Sequence, residues 1–106
     1  MIVYGIKTCG TVQKALAALS AAGKAPVLRD IRKEPLTEAE IAEFIAAFGE
    51  KLINRSSTTW RGLSESERDA PIKTLLQAHP TLMKRPVIRG DSLTLGWGAA
   101  AQQPRF

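Results

Sequence analysis

The sequence predicts an α/β fold in which a parallel β-α-β unit and a later hairpin form one mixed, four-stranded sheet. An apolar run at 2–4 and an alternating run at 26–31 flank a segment whose apolar residues have helical spacing. A helix of about a dozen residues between two strands gives room for a parallel crossover. Apolar runs at 87–88 and 93–95 flank the turn residues 90–92, which is the pattern of a β-hairpin.

The long segment between the second strand and the hairpin is predicted to be mainly helical. Thr37 with Glu40, and Ser64 with Glu67, have the spacing of a capping box, which marks the start of a helix. The stretch 51–63 differs, because it is rich in hydroxyl and arginine side chains. Its composition favours a surface loop over a segment that faces an anion.

The predicted order of elements is β-α-β, several helices, β-β and a short last helix at 99–103, which is the order of a thioredoxin-like fold. The helical stretch at about 37–79 is long for a minimal version of that fold, and we interpret it as an inserted helical subdomain. A chain of 106 residues has the size of one domain with a single core. We therefore expect one thioredoxin-like domain over 1–106.

The composition argues against several classes of protein. Fractions of 44% hydrophobic and 24% charged residues are typical of a globular protein in solution. No apolar run reaches membrane-spanning length and the N-terminus lacks the apolar core of a signal peptide, so we expect a cytoplasmic protein without a membrane partner. The net charge of +5 is dispersed, which favours a solvated surface or a small anionic substrate over nucleic acid. We expect a monomer.

The first loop carries the only cysteine of the chain, Cys9, and Gly5 and Gly10 lie on either side of it. Thr11 can cap the helix that follows, which places the thiol at a helix N-terminus. Unpaired N–H groups and the helix dipole favour a thiolate there, and Lys7 adds positive charge. The alternative is a buried, unreactive cysteine that packs like a small hydrophobic residue. The strand, loop and helix pattern favours the reactive cysteine.

A single cysteine limits the chemistry that the chain can perform alone. It cannot form an internal disulfide or a cysteine-rich metal site, and the lone histidine, His79, has no cluster of possible ligands around it in the sequence. We therefore expect neither a metal nor a bound cofactor. If the thiolate forms a mixed disulfide, the thiol that resolves it must come from another molecule.

The chain contains, in this order, the segments YGIKTCGT at 4–11, LINRSSTTWR at 52–61 and KRPVI at 84–88. Together they resemble the arsenate reductase (ArsC) family, and more closely its Spx/YffB-like branch. The resemblance covers essentially the whole chain. It implies a thioredoxin fold with an inserted helical subdomain, a catalytic cysteine in the first loop, and arginines that hold an oxyanion or a thiol partner.

The resemblance assigns roles to particular residues. Cys9 matches the nucleophile, and Arg85 matches the arginine before the proline that begins the third strand. Asn54 and Arg55 lie where the family has another arginine, and Arg55 is the residue that we assign to it. The hydroxyls and backbone N–H groups of the first loop supply further donors at the helix end. The candidate substrate-binding residues are therefore Lys7, Thr8, Gly10, Thr11, Asn54, Arg55, Arg85 and Pro86.

Three functions are compatible with this resemblance. YffB-like proteins share the single cysteine, which implies a glutathione-dependent monothiol reductase, with glutathione as co-substrate and glutaredoxin as a further candidate partner. The first alternative is an arsenate reductase that uses the same cysteine, but those enzymes have a further arginine in the region of Gly96 to Gly98, where this sequence has Trp97 and no arginine. The second is a non-enzymatic, Spx-like regulator that binds RNA polymerase, although Val12 replaces the second cysteine of the Spx C-x-x-C pair.

Overall fold

The computed structural model describes residues 1–97, and these residues divide into two compact units. The sheet unit comprises Met1–Glu34 and the segment from Arg85 onward, and the helical unit comprises Pro35–Lys84. The last helix that the sequence predicts at 99–103 lies outside the described residues. The organisation as a single domain stays a prediction.

The sheet unit contains four strands and one helix. In chain order they are β1 Ile2–Gly5, α1 Gly10–Ala21, β2 Val27–Asp30, β3 Val87–Arg89 and β4 Leu93–Leu95. The strands lie in the order β2-β1-β3-β4. β1 pairs with β2 in parallel, whereas β1 with β3 and β3 with β4 pair antiparallel. The predicted mixed, four-stranded sheet is therefore confirmed.

Helix α1 covers one face of this sheet. Val3 pairs with Ile88 across β1 and β3, and both side chains are fully buried. They form one cluster with three residues of α1 at helical spacing, namely Val12, Ala15 and Leu19. Burying an aliphatic side chain of this size stabilises a fold by roughly 1.5–3 kcal/mol. This cluster therefore fixes α1, and the loop before it, against the sheet.

Gly5 allows β1 and α1 to approach closely. A Cβ atom built on Gly5 would lie 2.6 Å from one γ-methyl carbon of Val12 and 3.2 Å from the other. Val12 is fully buried and β-branched, so its side chain has little freedom to move away. The absence of a side chain at Gly5 therefore sets the distance between the strand and the helix on either side of the Cys9 loop.

The helical unit confirms both predicted capping boxes. It contains α2 Glu38–Phe48, a 3₁₀ turn at Gly49–Leu52, α3 Thr58–Arg61, α4 Glu65–Arg68, α5 Ile72–Ala78 and a 3₁₀ turn at Pro80–Leu82. The Thr37 hydroxyl accepts from the Glu40 N–H at 3.1 Å, and the Glu40 carboxylate accepts from the Thr37 N–H at 2.9 Å. Ser64 and Glu67 make the same reciprocal pair before α4. Helix α2 packs against α5, and the core includes Ile41, Phe44, Leu52, Leu75, Leu76, Leu82 and Met83.

The prediction of a surface loop over 51–63 is wrong in part. Ile53 is buried and forms an isolated antiparallel bridge with Met83, which anchors the start of the stretch. The Ser57 hydroxyl then accepts from the Trp60 N–H at 3.1 Å and caps α3. Composition pointed to a loop because serine and threonine are common there, but the same hydroxyls are also effective helix caps.

Thr94 in β4 has a buried hydroxyl whose contribution to stability can be tested. Its side chain is 5% exposed, and its hydroxyl has no hydrogen-bond partner among the described residues. Thr94→Val keeps the shape and removes the polar atom, so we expect the free energy of unfolding to rise by about 1 kcal/mol. Urea denaturation measures this change, with Thr94→Ala as the control that also removes a methyl group. A less stable valine variant would mean that the hydroxyl is satisfied in solution.

No helix within residues 1–97 is both long and apolar enough to span a bilayer.

Candidate active site

Cys9 is the N-cap residue of α1. Its backbone is extended, with φ −76° and ψ 122°, and its carbonyl oxygen accepts the first helical bond from the Gln13 N–H at 3.0 Å. The Cys9 N–H donates to the Ile6 carbonyl oxygen at 3.0 Å, which closes a turn over Lys7 and Thr8. The sequence predicts a thiol at the helix N-terminus, and the structure places it there.

The prediction that Thr11 caps the helix is wrong. Helix α1 already begins at Gly10, so Thr11 is its second residue and is exposed. The turn that ends at Cys9 moves the start of the helix two residues earlier than the usual preference for a threonine cap indicates. The thiol consequently lies directly at the helix end, and its side chain makes no capping hydrogen bond.

The environment of Cys9 is mixed. The residue is partly buried and packs against the cluster that holds α1 to the sheet. Its neighbours Thr8 and Gly10 are exposed, and a Cβ atom built on Gly10 would meet no atom within 4 Å. The core therefore supports the cysteine on one side, while the loop beside it is open to an incoming molecule.

The electrostatics of the helix end favour an anion. Helix α1 has 12 residues, and its first turn contains no acidic side chain. The unpaired N–H groups and the positive end of the helix dipole are therefore not neutralised by a carboxylate within that turn. Lys7 lies in the same loop and is exposed. An anionic ligand is favoured by this arrangement.

Two side chains that lie outside the Cys9 loop form hydrogen bonds to the backbone of Lys7 within it. The Lys7 N–H donates to the Asp30 carboxylate at 3.3 Å, and the Gln13 side-chain amide donates to the Lys7 carbonyl oxygen at 2.9 Å. The pKa of Asp30 is held below its ordinary value of 3.8, chiefly because the Arg32 N–H donates to the carboxylate, with the Lys7 N–H contributing to the same effect. The Asp30 carboxylate is therefore ionised at neutral pH.

Sequence reasoning missed Asp30 and Gln13, although the topology offered a signal for Asp30. The residue ends β2 and lies opposite Gly5, the last residue of β1. The carboxyl ends of two parallel strands meet at one edge of a sheet, so a polar residue at the end of β2 is placed beside the loop that follows β1.

Arg85 and Pro86 lie at the same end of the sheet as the Cys9 loop. Val87 pairs with Tyr4 in the antiparallel β1–β3 pair, so Pro86, which precedes Val87, adjoins the end of β1 where that loop begins. The Arg85–Pro86 peptide bond is cis, Pro86 is buried, and its carbonyl oxygen accepts from the Gly96 N–H at 2.8 Å. Arg85 is partly exposed. The predicted substrate-binding residues of the sheet unit thus share one edge.

Asn54 and Arg55 belong to the helical unit, and their part in the site stays a prediction. The Asn54 side-chain oxygen accepts from the Ser56 N–H at 3.0 Å, so it stabilises a local turn. Arg55 is exposed, and one of its five N–H donors bonds the Glu50 carbonyl oxygen at 3.3 Å. Arg55 is thus more exposed than Asn54.

The guanidinium groups of Arg55 and Arg68 both lie over the ring of Trp60. The central carbon of the Arg55 guanidinium lies 5.3 Å from the ring centroid, and that of Arg68 lies 5.4 Å from it. Arg68 also donates to the Trp60 carbonyl oxygen at 3.1 and 3.2 Å and to the Arg61 carbonyl oxygen at 3.3 Å. Trp60, Arg55 and Arg68 therefore form one cation–π set. Sequence reasoning missed it, since Trp60 and Arg68 lie on different short helices.

Metal ligands do not cluster in the described part of the chain. Among residues 1–97, no three His, Cys, Asp or Glu side chains come together in a way that could hold an ion. His79 is the C-cap residue of α5.

A parallel strand pair, a hairpin at the far edge of the same sheet and a cysteine at the start of the first helix define a thioredoxin-like α/β protein. The model of the ArsC family matches residues 4–103, nearly the whole chain. The chain belongs to the ArsC family. Both the resemblance drawn from its three sequence segments and the expected fold class are confirmed.

Similar proteins support the same assignment. An uncharacterized protein of Haemophilus influenzae is 40% identical over 110 residues, which cover 98% of this chain and 96% of that one. A solved YffB protein is 28% identical with a TM-score of 0.84, and the match covers 94% of this chain and 93% of that chain. An arsenate reductase (ArsC) related protein from Brucella melitensis is 34% identical with a TM-score of 0.74, over 93% and 88% of the two chains.

Proposed function

We propose that this protein is a glutathione-dependent monothiol reductase in which Cys9 forms a mixed disulfide. Membership of the ArsC family supports a thiol-dependent oxidoreductase, and the likeness to YffB and to an arsenate reductase related protein agrees with it. The observation that carries the proposal is the position of Cys9. It is the N-cap residue of a helix without acidic residues in its first turn, and it lies beside an open loop.

The reaction needs only one protein thiol. The Cys9 thiolate attacks the glutathione sulfur of a disulfide between glutathione and a substrate thiol, so that a Cys9–glutathione disulfide forms and the substrate leaves as its thiolate. A second glutathione thiolate then attacks the glutathione sulfur of the mixed disulfide. This step releases oxidised glutathione and returns the Cys9 thiolate. The net reaction consumes one glutathione and one substrate disulfide, and it yields one substrate thiol and one oxidised glutathione.

The basic residues of the proposed site have complementary roles. Arg85 lies at the edge of the sheet where the Cys9 loop begins, and there its charge favours the thiolate. Arg55 offers paired N–H donors that suit a glutathione carboxylate. Lys7, Thr8, Gly10 and Thr11 supply an ammonium group, hydroxyls and backbone donors around the helix end.

Reduction of arsenate by the same cysteine is disfavoured at one position. The resemblance to arsenate reductases leads us to expect a further arginine in the region of Gly96 to Gly98, and the sequence has Trp97 and no arginine there. In the structure Trp97 is partly buried and packs against the core cluster of the sheet unit. Because Trp97 packs in this way, the site lacks one of the positive charges that would bind a free oxyanion such as arsenate. We therefore favour a disulfide as the substrate, and assay of arsenate turnover separates the two.

The test follows Cys9 alkylation as a function of pH, with intact mass as the readout and oxidised glutathione in a parallel reaction. We expect a midpoint well below the value near pH 8.5 of a free cysteine. We also expect addition of one glutathione, which an excess of reduced glutathione removes. A midpoint at or above the ordinary value, with no adduct, would overturn the proposal and direct attention to protein partners.

The charge of Arg85 can be tested separately. Arg85→Ala should raise the pH midpoint of Cys9 alkylation by roughly half a unit or more, because a cation near a thiolate stabilises it. The variant should also lower the rate with anionic iodoacetate more than the rate with neutral iodoacetamide.

Two control variants accompany this measurement. Arg85→Lys keeps the charge and should retain most of the effect. Lys24→Ala removes an exposed cation just beyond the other end of α1 and should change neither quantity. Equal midpoints in Arg85→Ala and the wild type would exclude Arg85 from the site.

A further inference from the structure

The turn between β1 and α1 contains a pair of backbone groups that the turn itself does not satisfy. Its closing bond joins the Cys9 N–H to the Ile6 carbonyl oxygen, so Lys7 and Thr8 occupy its two central positions. Central residues of a β-turn direct their peptide groups outward, where water normally binds them. Here the N–H and the carbonyl oxygen of Lys7 both bind side chains instead.

The two side chains come from different elements and act on opposite sides of one residue. Asp30 ends β2, and one of its carboxylate oxygens is itself fixed by the Arg32 N–H at 2.9 Å while the other accepts from Lys7. Gln13 lies in the first part of α1, where its backbone N–H bonds the Cys9 carbonyl oxygen and its side chain bonds Lys7. The loop is thus tied to the neighbouring strand and to the helix that it precedes.

We infer that Asp30 and Gln13 are positioning residues that hold Cys9 at the N-cap of α1. The inference rests on the proposed function, because the position of the Cys9 thiolate matters only if that thiolate is the nucleophile. A cysteine experiences the helix N-terminus only while it stays in the N-cap position, because the dipole effect falls off within the first turn. Fixing Lys7 on both sides limits how far the turn can open and carry the sulfur away from the first-turn N–H groups.

Asp30 also brings a negative charge to the loop, which by itself disfavours a thiolate. The two effects of this residue therefore have opposite signs: its hydrogen bond to Lys7 holds the site together, while its charge opposes the ionised sulfur. Gln13 has no charge, so its replacement changes the hydrogen bond alone. This difference allows the positioning role to be separated from simple electrostatics.

The experiment compares four variants of the full chain by the pH midpoint of Cys9 alkylation, with thermal unfolding as a check of the fold. Gln13→Leu removes the donor without changing charge, and we expect its midpoint to rise by about half a unit, which is about a threefold loss of thiolate at any pH below the midpoint. Ala17→Leu is the matched control, one turn further along α1 and exposed, and should leave the midpoint unchanged. Asp30→Asn and Asp30→Ala both remove the charge, but only the asparagine retains an acceptor, so the alanine variant should have the higher midpoint.

The outcomes separate the inference from the function on which it rests. Equal midpoints in Gln13→Leu and Ala17→Leu, together with equal midpoints in the two Asp30 variants, would overturn the positioning role while the wild-type glutathione adduct upholds the reductase. A wild type that forms no adduct, with the expected midpoint shifts in the variants, would reject the reductase and uphold the positioning role.

Discussion

Cys9→Ser should reduce turnover of a glutathionylated peptide to the uncatalysed rate while leaving a folded and no less stable protein. Cys9 is the only thiol of the chain, and a serine hydroxyl is not ionised at neutral pH, so no mixed disulfide can form. At the N-cap, however, serine is a preferred residue, and the cysteine side chain makes no capping bond. The variant therefore loses the reactive thiol and gains a better helix cap.

The stability part of this expectation has its own control. Cys9→Ala removes the thiol without supplying a cap, so the serine variant should be more stable than the alanine variant by about 1 kcal/mol. Urea denaturation measures the difference. Residual turnover in Cys9→Ser would place the chemistry elsewhere, and an alanine variant as stable as the serine variant would show that residue 9 does not occupy an N-cap in solution.

Gly5→Ala should lower the free energy of unfolding by about 1–3 kcal/mol, the usual cost of overpacking a core. The added methyl group would lie 2.6 Å from a Val12 γ-methyl carbon, and one of the two elements must shift to relieve the contact. Since β1 and α1 flank the Cys9 loop, the shift should also slow formation of the glutathione adduct. Chemical denaturation and intact-mass kinetics on the same protein measure both effects.

A double-mutant cycle identifies the cause. Val12→Ala removes the two γ-methyl carbons that the new methyl group meets, so Gly5→Ala should cost much less in the Val12→Ala background than in the wild type. Additive losses in the two variants would mean that Gly5 matters for another reason, such as its backbone conformation.

The elements whose causes are local in sequence could be predicted. The capping box of Thr37 and Glu40 lies within four residues, and the hairpin depends on the short turn before Leu93. The β-α-β unit follows from helix length, because a connection through a helix of about a dozen residues joins strands that pair in parallel. A cysteine at a helix start was also expected from its glycine-flanked loop, so Cys9, the principal candidate residue of the site, could be identified from the sequence alone.

The features that the sequence analysis missed have causes that no local sequence pattern describes. The true N-cap differs from the predicted Thr11 because the turn closed by Ile6 and Cys9 starts the helix early. The bond from Lys7 to Asp30 joins residues 23 positions apart, and only the strand register brings them together. Helix α3 has four residues, too few for a periodic pattern to show.

The contact of Trp60 with two arginines has an optical consequence. An indole ring has an emission spectrum that responds to nearby charge, and two cationic groups lie within 5.4 Å of this ring centroid. The chain has one other tryptophan, Trp97, so a Trp97→Phe background would leave a single fluorophore. An anion that draws the Arg55 head group away from the ring would change the field at the fluorophore. The protein thus contains its own reporter of when that arginine is engaged, without any attached dye.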